Sequence, residues 1–369
     1  VVQDATEDSL VGRRFDVEIG QVAHGGHFVA RHEGRVIFVR HALPGEQVTV
    51  EITEDSGRFL RGDAVHVTTP SAHRVSAPCP LAHPGGCGGC DFQHVELSEQ
   101  RRLKGSVVSE QLSRLAGVER EVVVEAVPGD EHGLFWRTRM QYVHLPNGDI
   151  GLRKHRSHEV VRVERCLIAH PDAREPDRSE PVVEEVVTDR GTHSFTVAGD
   201  GFWQVHPGAP RVLVDTVMQM LAPEVGERAL DLYAGVGLFS ASLAVAVGPT
   251  GSVVSIESDR QATKLAKTNL EAHPQVSVVA DRVDRAIRRR EPVDLVVLDP
   301  PRAGAKRQVV RSIVDLAPRA VAYVACDPAS LARDLSYFAE AGYRLADLRA
   351  FDLFPMTHHV ECVALLTRP

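Results

Sequence analysis

Lysine is nearly missing from this 369-residue chain: five stand against 37 arginines, and arginine is the better residue for phosphate forks and base stacking. Long apolar runs are missing too. None approaches the ~18 residues a membrane helix needs, and no charged-then-apolar leader opens the chain. Those absences argue against a membrane-spanning or secreted protein and for a cytoplasmic one. The chain begins at Val1, which leaves its native N-terminus open. Cysteine is scarce, with six residues, and in a cytoplasmic chain clustered cysteines read as metal ligands or catalytic groups rather than disulfides. No internal repeat or low-complexity tract occurs. An excess of positive charge is also missing. The net charge of -8 argues at first sight against a polyanion-binding protein.

Divided by segment, that charge reads differently. Residues 1–70 carry net -4 and residues 171–200 net -5, while 71–170 carry net +1 and 201–369 are neutral. The central and C-terminal regions are therefore compatible with RNA, bound through local arginine patches with a modest salt dependence. Hydrophobic content of 43% and charged content of 25% are those of a globular protein, and the length suits two or three domains.

Three segments differ in pattern. Residues 1–70 contain short β-rich runs, such as Phe15–Ile19, Val36–Val39, Gln47–Ile52 and Ala64–Val67, punctuated by glycines; this predicts a small antiparallel barrel. Residues 71–200 predict a central α+β domain. It opens with a Pro-, Gly- and Cys-rich loop over 70–92. A helix over 97–117 follows, with Leu103, Val107, Leu112 and Leu115 on one side, then strand-like runs over 136–166. The acidic, proline-containing stretch 171–192 reads as a surface loop or linker. Residues 201–369 alternate strands (229–233, 253–257, 293–299, 320–325) with helices (238–247, 259–272), the pattern of a parallel, doubly wound, Rossmann-like α/β sheet.

Two turns in that last segment carry chemistry. Asp231-Leu-Tyr-Ala-Gly-Val-Gly237 sits at a strand-to-helix turn, and Glu257 ends the next strand, where a carboxylate can accept both ribose hydroxyls of an adenosine. No Gly-Lys-Ser/Thr follows, so this is no phosphate loop. A nucleoside cofactor without a pyrophosphate, such as S-adenosylmethionine, fits better than NAD. Asp299-Pro-Pro-Arg302 follows a later strand, stiffened by its prolines. Taken alone, the tetrapeptide reads more readily as a structural turn. Adenine N-methylases usually place an aromatic after such a turn, where this chain has Arg302. Cys326 ends the next strand, beside the cofactor turn, placed either as a nucleophile or as a buried small apolar group. Glu361 interrupts the start of a final apolar strand, which calls for a partner or a function. Cys362 alternates to the other face and reads as a spectator.

Three stretches together give the chain a family resemblance: Asp299-Pro-Pro-Arg-Ala-Gly304, Tyr323-Val-Ala-Cys-Asp-Pro-Ala-Ser330 and Asp352-Leu-Phe-Pro-Met-Thr-His-His-Val-Glu361. The chain resembles the uracil-5 RNA methyltransferase family, which forms 5-methyluridine in tRNA and 23S rRNA. The resemblance implies that Cys326 is the nucleophile and Glu361 the general base, with S-adenosylmethionine held by Gln204, Tyr233, Gly235, Glu257 and Asp299. It implies a TRAM domain, an OB-like RNA-binding barrel, over residues 1–70, matched by Gly34-Arg-Val-Ile-Phe-Val39 and Ala42-Leu-Pro-Gly-Glu46. Departures exist. Ala325-Cys326-Asp327 stands where Ser-Cys-Asn is usual, Ser330 where Thr is usual, and Leu238 and His206 where Asn occurs. Asp327 adds a negative charge beside the thiol, which disfavours a thiolate.

Cys79, Cys87, Cys90 and Cys166 form a four-cysteine set that on spacing alone suits zinc or iron–sulfur. The rRNA branch of the family carries a [4Fe-4S] cluster on this arrangement, so the resemblance favours the cluster, in a stapling role for the central domain. The expected partner is RNA, with no membrane and no obligate protein partner. Candidate contacts are Arg153, Lys154, Arg156, Arg162 and Arg165, the group Arg282, Arg285, Arg288, Arg289 and Arg290, and Lys306, Arg307 and Arg311, each of which a solvated charged face would also explain. The function expected is 5-methyluridine formation, in 23S rRNA before tRNA. A non-catalytic RNA-binding protein of the same fold and an iron–sulfur redox protein are the alternatives.

Overall fold

The computed structural model describes residues 9–177 and 180–368; residues 1–8 of the first segment, 178–179 of the acidic stretch and Pro369 lie outside it. The N-terminal segment forms β1 (Arg14–Glu18), β2 (Val22–Ala23), β3 (His27–His32), β4 (Arg35–Arg40), β5 (Gln47–Asp55) and β6 (Phe59–Thr69), in the order β1-β5-β6-β4-β3-β2. The Gly20 amide donates to Val29 O at 2.7 Å and the Val29 amide to Gln21 O at 3.0 Å, so the chain leaving β1 lies along β3 and the sheet curls into a barrel. The barrel is not wholly antiparallel as expected. β4 and β6 pair in parallel, because β5 and its hairpin intervene between them.

The helix α1 (Leu97–Gln111) follows, then a single π-turn over Leu112–Ala116. Leu103 and Val107 enter the barrel core, while Val108 and Leu112 enter the core of the C-terminal domain. One helix thus fixes the barrel against the catalytic sheet. Leu115 was expected on the buried side but is exposed, since the extra residue of the π-turn rotates it outward.

The central strands are β7 (Val124–Ala126), β8 (Arg137–Arg139), β9 (Val143–His144), β10 (Ile150–Arg153), β11 (Val160–Val163) and β12 (Ala169–Arg174). The acidic stretch is not the surface loop its charge suggested. It forms the end of β12 and most of a hairpin, β13 (Val182–Thr188) with β14 (Gly191–Val197). Glu185 faces solvent while Val186 is buried beside Phe195 and Val197, the alternation of a half-buried strand.

The C-terminal domain runs α2 (Ala209–Leu221), β15 (Arg228–Leu232), α3 (Leu238–Val247), β16 (Ser252–Glu257), α4 (Arg260–Asn269), β17 (Val276–Ala280), α5 (Val283–Ala286), β18 (Leu295–Leu298), α6 (Lys306–Asp315), β19 (Ala320–Ala325), α7 (Pro328–Glu340), β20 (Arg344–Asp352) and β21 (Glu361–Thr367). The sheet order is β17-β16-β15-β18-β19-β21-β20-β7. β18 and β19 are buried throughout, as strands covered by helices on both faces must be. The sheet is not all parallel: β21 runs antiparallel to both β19 and β20. β7 adds an eighth strand, parallel to β20, so the chain before residue 200 contributes to this sheet.

A buried ion pair ties α1 to the end of β20. Lys104 Nζ donates to Asp352 at 2.5 Å and to Phe354 O at 3.0 Å, with the side chains 0% and 2% exposed. Lys104→Met leaves the Asp352 carboxylate buried without its counter-charge, and about 3–5 kcal/mol of stability is expected to go with it. Thermal unfolding checks this, with Lys104→Met/Asp352→Leu recovering most of the loss. A single variant within about 0.5 kcal/mol of the parent would contradict the pair's role.

Candidate functional site

The cofactor-turn candidates gather at the carboxyl ends of β15 and β16. Tyr233 follows β15 with φ +62°, a strained conformation for a tyrosine of the kind found at ligand sites. The Glu257 carboxylate is aimed by backbone amides: it accepts from Gly235 at 3.0 Å, Ser258 at 2.6 Å and Asp259 at 2.7 Å. Asp231 is buried, and its Oδ2 accepts from Ser240 Oγ at 2.6 Å. Its Oδ1 is buried with no partner, an open acceptor for a cation. Burial raises the Asp231 carboxyl to about 7 against the pull of Ser240. The sequence reading used Asp231 only as the start of a motif; its missing partner emerges only from the packing. Gln204 lies half-buried between β14 and α2.

Three neighbouring strand ends carry the remaining candidates. Leu298 is registered with Tyr323, and Ala325 with Cys362. Asp299 and Cys326 therefore follow the carboxyl ends of β18 and β19, and Glu361 opens the antiparallel β21 beside them. Glu361 is buried, and burial and then Asp299 raise its carboxyl, with Arg302 opposing. Asp299 is raised by burial and by Asp231. Burial, then Glu361 and Asp299, push the Cys326 thiol up to about 12, again against Arg302. Arg302, exposed in the proline turn, is the cation common to Cys326 and Glu361, and its Nη2 lies 3.2 Å from His359 Nε2. Cys362 is fully buried.

A cavity of about 170 Å³ opens on Cys326. Its walls include Val22, His24 and Gly26 from the barrel, Lys104 and Val107 from α1, and His358 and His359. Sequence reasoning missed the barrel's part in this wall, because nothing local in residues 22–26 points to a partner some 300 residues away. Gly26, at φ +76°, lies so close that a Cβ would stand 2.6 Å from His358 Cβ.

Cys79, Cys87, Cys90 and Cys166 line a second cavity, of about 300 Å³. The Cys87 sulfur accepts from the Gly89 amide at 3.3 Å and the Cys90 sulfur from Gln93 Nε2 at 3.3 Å. A Cβ on Gly88 would stand 2.4 Å from the His155 amide nitrogen, so only glycine lets this loop approach the chain just after β10. The four thiols share a cavity, yet among the described residues no three His, Cys, Asp or Glu side chains form a group able to hold a metal ion. The chain just past Cys90 reaches the first site: the Asp91 and Phe92 amides donate to Met356 O at 2.9 and 3.0 Å, and Asp91 Oδ2 lies 2.6 Å from His358 Nδ1.

Five of the candidate RNA contacts are engaged at the surface, in the pairs Lys154–Glu159, Arg156–Glu54, Arg162–Asp149, Arg282–Asp284 and Arg307–Glu340. Exposed pairs of this kind are weak and exchange readily for phosphate. Arg165 stacks over Phe135, with its guanidinium 5.5 Å from the ring centre.

The chain matches three family models: the TRAM domain over residues 8–65, the methyltransferase small domain over 209–323, and tRNA (Uracil-5-)-methyltransferase over 282–369. An RNA methyltransferase of Streptomyces coelicolor is 45% identical over 97% of this chain and 93% of its own. One from Bifidobacterium longum is 36% identical over 96% of each chain. The crystal structure of Pyrococcus abyssi tRNA (uracil-54, C5)-methyltransferase in complex with S-adenosyl-L-homocysteine superposes with a TM-score of 0.69 at 20% identity, over 95% of this chain and 99% of that one. It shares the fold. No helix among the described residues is long and apolar enough to cross a membrane. The chain is an S-adenosylmethionine-dependent RNA methyltransferase and belongs to the uracil-5 family.

Proposed function

We propose that this enzyme forms 5-methyluridine in 23S rRNA, with Cys326 as nucleophile and Glu361 as base. The observation that carries the chemistry is the placement of Asp299 and Cys326 just past the carboxyl ends of β18 and β19, with Glu361 opening the antiparallel β21 beside them. Carbon 5 of uracil is too weak a nucleophile to take a methyl group unaided. The Cys326 thiolate adds to carbon 6 and loads electron density onto carbon 5. S-adenosylmethionine supplies the electrophilic methyl. Glu361 then takes the carbon 5 proton, and elimination breaks the sulfur–carbon 6 bond and frees the thiolate. Arg302, which opposes the negative field at Cys326 and Glu361, stabilises both anions in turn. The uridine leaves its stack to reach this cleft.

The cofactor candidates suit S-adenosylmethionine. The partnerless Asp231 Oδ1 suits its ammonium, Glu257 its ribose hydroxyls, and Tyr233, Gly235, Gln204 and Asp299 the surrounding walls. The cytoplasm is the compartment that fits an RNA substrate and reduced thiols.

For Cys79, Cys87, Cys90 and Cys166 we propose a [4Fe-4S] cluster. The N–H donors on two sulfurs are the hydrogen bonds cluster thiolates receive, and the four cysteines line one cavity of about 300 Å³. Its role would be structural, holding the loop whose Asp91 and Phe92 grip Met356 and His358. Anaerobically purified protein is expected to contain about four irons and four sulfides per chain. About one zinc per chain would replace the cluster with the alternative.

The rRNA preference rests on the four-cysteine set. The tRNA reading is favoured by the name of the family model matched over residues 282–369. Incubating the enzyme with unmodified rRNA and tRNA, followed by nucleoside mass spectrometry, separates them: 5-methyluridine in rRNA alone supports the proposal, and in tRNA alone the second reading.

A further inference from the structure

The barrel touches the catalytic cleft through one polar contact that the chemistry above does not use. His24 Nε2 lies 2.9 Å from Asp327 Oδ2, joining residues 303 apart in sequence. Asp327 immediately follows Cys326, and both line the cavity that His24 also lines. The same carboxylate caps α7: its Oδ1 accepts from the Ser330 amide at 2.8 Å.

An aspartate at this position is costly for the reaction proposed. The Cys326 thiol is already raised by burial, Glu361 and Asp299, and Asp327 raises it further. The helix amide satisfies one oxygen, and only His24 brings a compensating charge to the other. Burial disfavours the Asp327 charge, yet the His24 hydrogen bond and the Ser330 amide hold its carboxyl down at about 2. The His24 imidazole is raised in turn, first by its hydrogen bond to Asp327, against burial, with Glu110 of α1 adding to it. Arg302, Lys104, His358 and His359 are the other charged or titratable side chains of the cavity wall. Arg302 already acts on Cys326, and Lys104 is committed to Asp352 and His358 to Asp91.

We propose that His24, reaching over from the barrel, is a positioning residue for the nucleophile: by neutralising and holding the Asp327 carboxylate it lets Cys326 ionise in the assembled cleft. The inference rests on the reading of Cys326 as nucleophile. It gives the barrel a second role, since a segment otherwise suited to holding RNA would also set the reactivity of a thiol in another domain. It also explains how this chain tolerates aspartate beside the thiol. Without His24 the aspartate is a liability; with it, the pair is neutral overall and still caps α7.

The test uses the full chain and reads the thiol directly. Alkylation of Cys326 by iodoacetamide is followed against pH, by mass spectrometry of the Cys326 peptide. His24→Gln keeps a hydrogen-bond donor but removes the charge. It is expected to move the alkylation profile about one pH unit upward, leaving about tenfold less thiolate at a fixed pH, with kcat falling in parallel. His24→Gln/Asp327→Asn removes both charges and is expected to restore the profile and the rate together. If His24→Gln leaves the alkylation profile unmoved, or the double variant stays as impaired as the single one, the inference falls. A structural role alone would lower activity without moving the thiol's titration. If Cys326→Ala retains turnover, the nucleophile reading falls instead, which the alkylation measurement alone would not show.

Discussion

Cys326→Ala is expected to lower methyl transfer by about 10⁴-fold or more, while S-adenosylmethionine binding is unchanged. The size follows from the chemistry. Without a thiolate at carbon 6, carbon 5 never becomes an enolate carbon, so no slower version of the same path remains. Binding should survive because Tyr233, Gly235 and Glu257 lie on the β15 and β16 turns, while Cys326 lies past the end of β19. Calorimetry with S-adenosylmethionine and single-turnover kinetics with RNA check the two halves. Turnover within about tenfold of the parent would remove Cys326 from the mechanism.

Glu361→Gln should slow the reaction by about 10²–10⁴-fold and change what accumulates. The neutral amide cannot accept the carbon 5 proton. Addition and methyl transfer still proceed, but elimination stalls, so RNA stays joined to Cys326 through carbon 6 and bears the new methyl. A denaturant-stable protein–RNA species, mapped by mass spectrometry to the Cys326 peptide, is the expected product. The pH dependence has a definite sign. Cys326 and Glu361 both act deprotonated, and both are raised by burial and by neighbouring acids. The rate of the parent enzyme should therefore climb with pH through and above neutrality. In Glu361→Gln only the thiol's contribution to that climb should remain. A rate that falls as pH rises would contradict the assignment.

Much of the catalytic domain was legible because its signals are local. The alternation of strand, glycine turn and apolar helix gave the bounds of α3 and β19 as the structure has them. The positions of Cys326 and Glu361 at strand ends followed from the same periodicity. What was not legible depends on partners distant in sequence. The stretch 171–192 was read from its charge, yet Val186, set between its acids, is buried in the core that α2 shares, and the stretch builds a hairpin. Lys104 looks like any polar residue of an amphipathic helix until Asp352 arrives from 248 residues away. Asp327 could be recognised as unhelpful to a thiol, but its compensation by His24 exists only once the barrel is docked through α1. The four cysteines were found by spacing. Their arrangement around a cavity, and the grip of the next two residues on the loop before Glu361, required the fold.

The account's central claim is chemistry at carbon 5 of uracil, and tritium at that carbon tests it most directly. RNA made with [5-³H]uridine is incubated with the enzyme and S-adenosylmethionine, and tritium released to water is counted against methyl groups incorporated. The account predicts one tritium released for each methyl transferred, and none with Cys326→Ala. Methyl transfer without tritium release would place the reaction at another atom and contradict it.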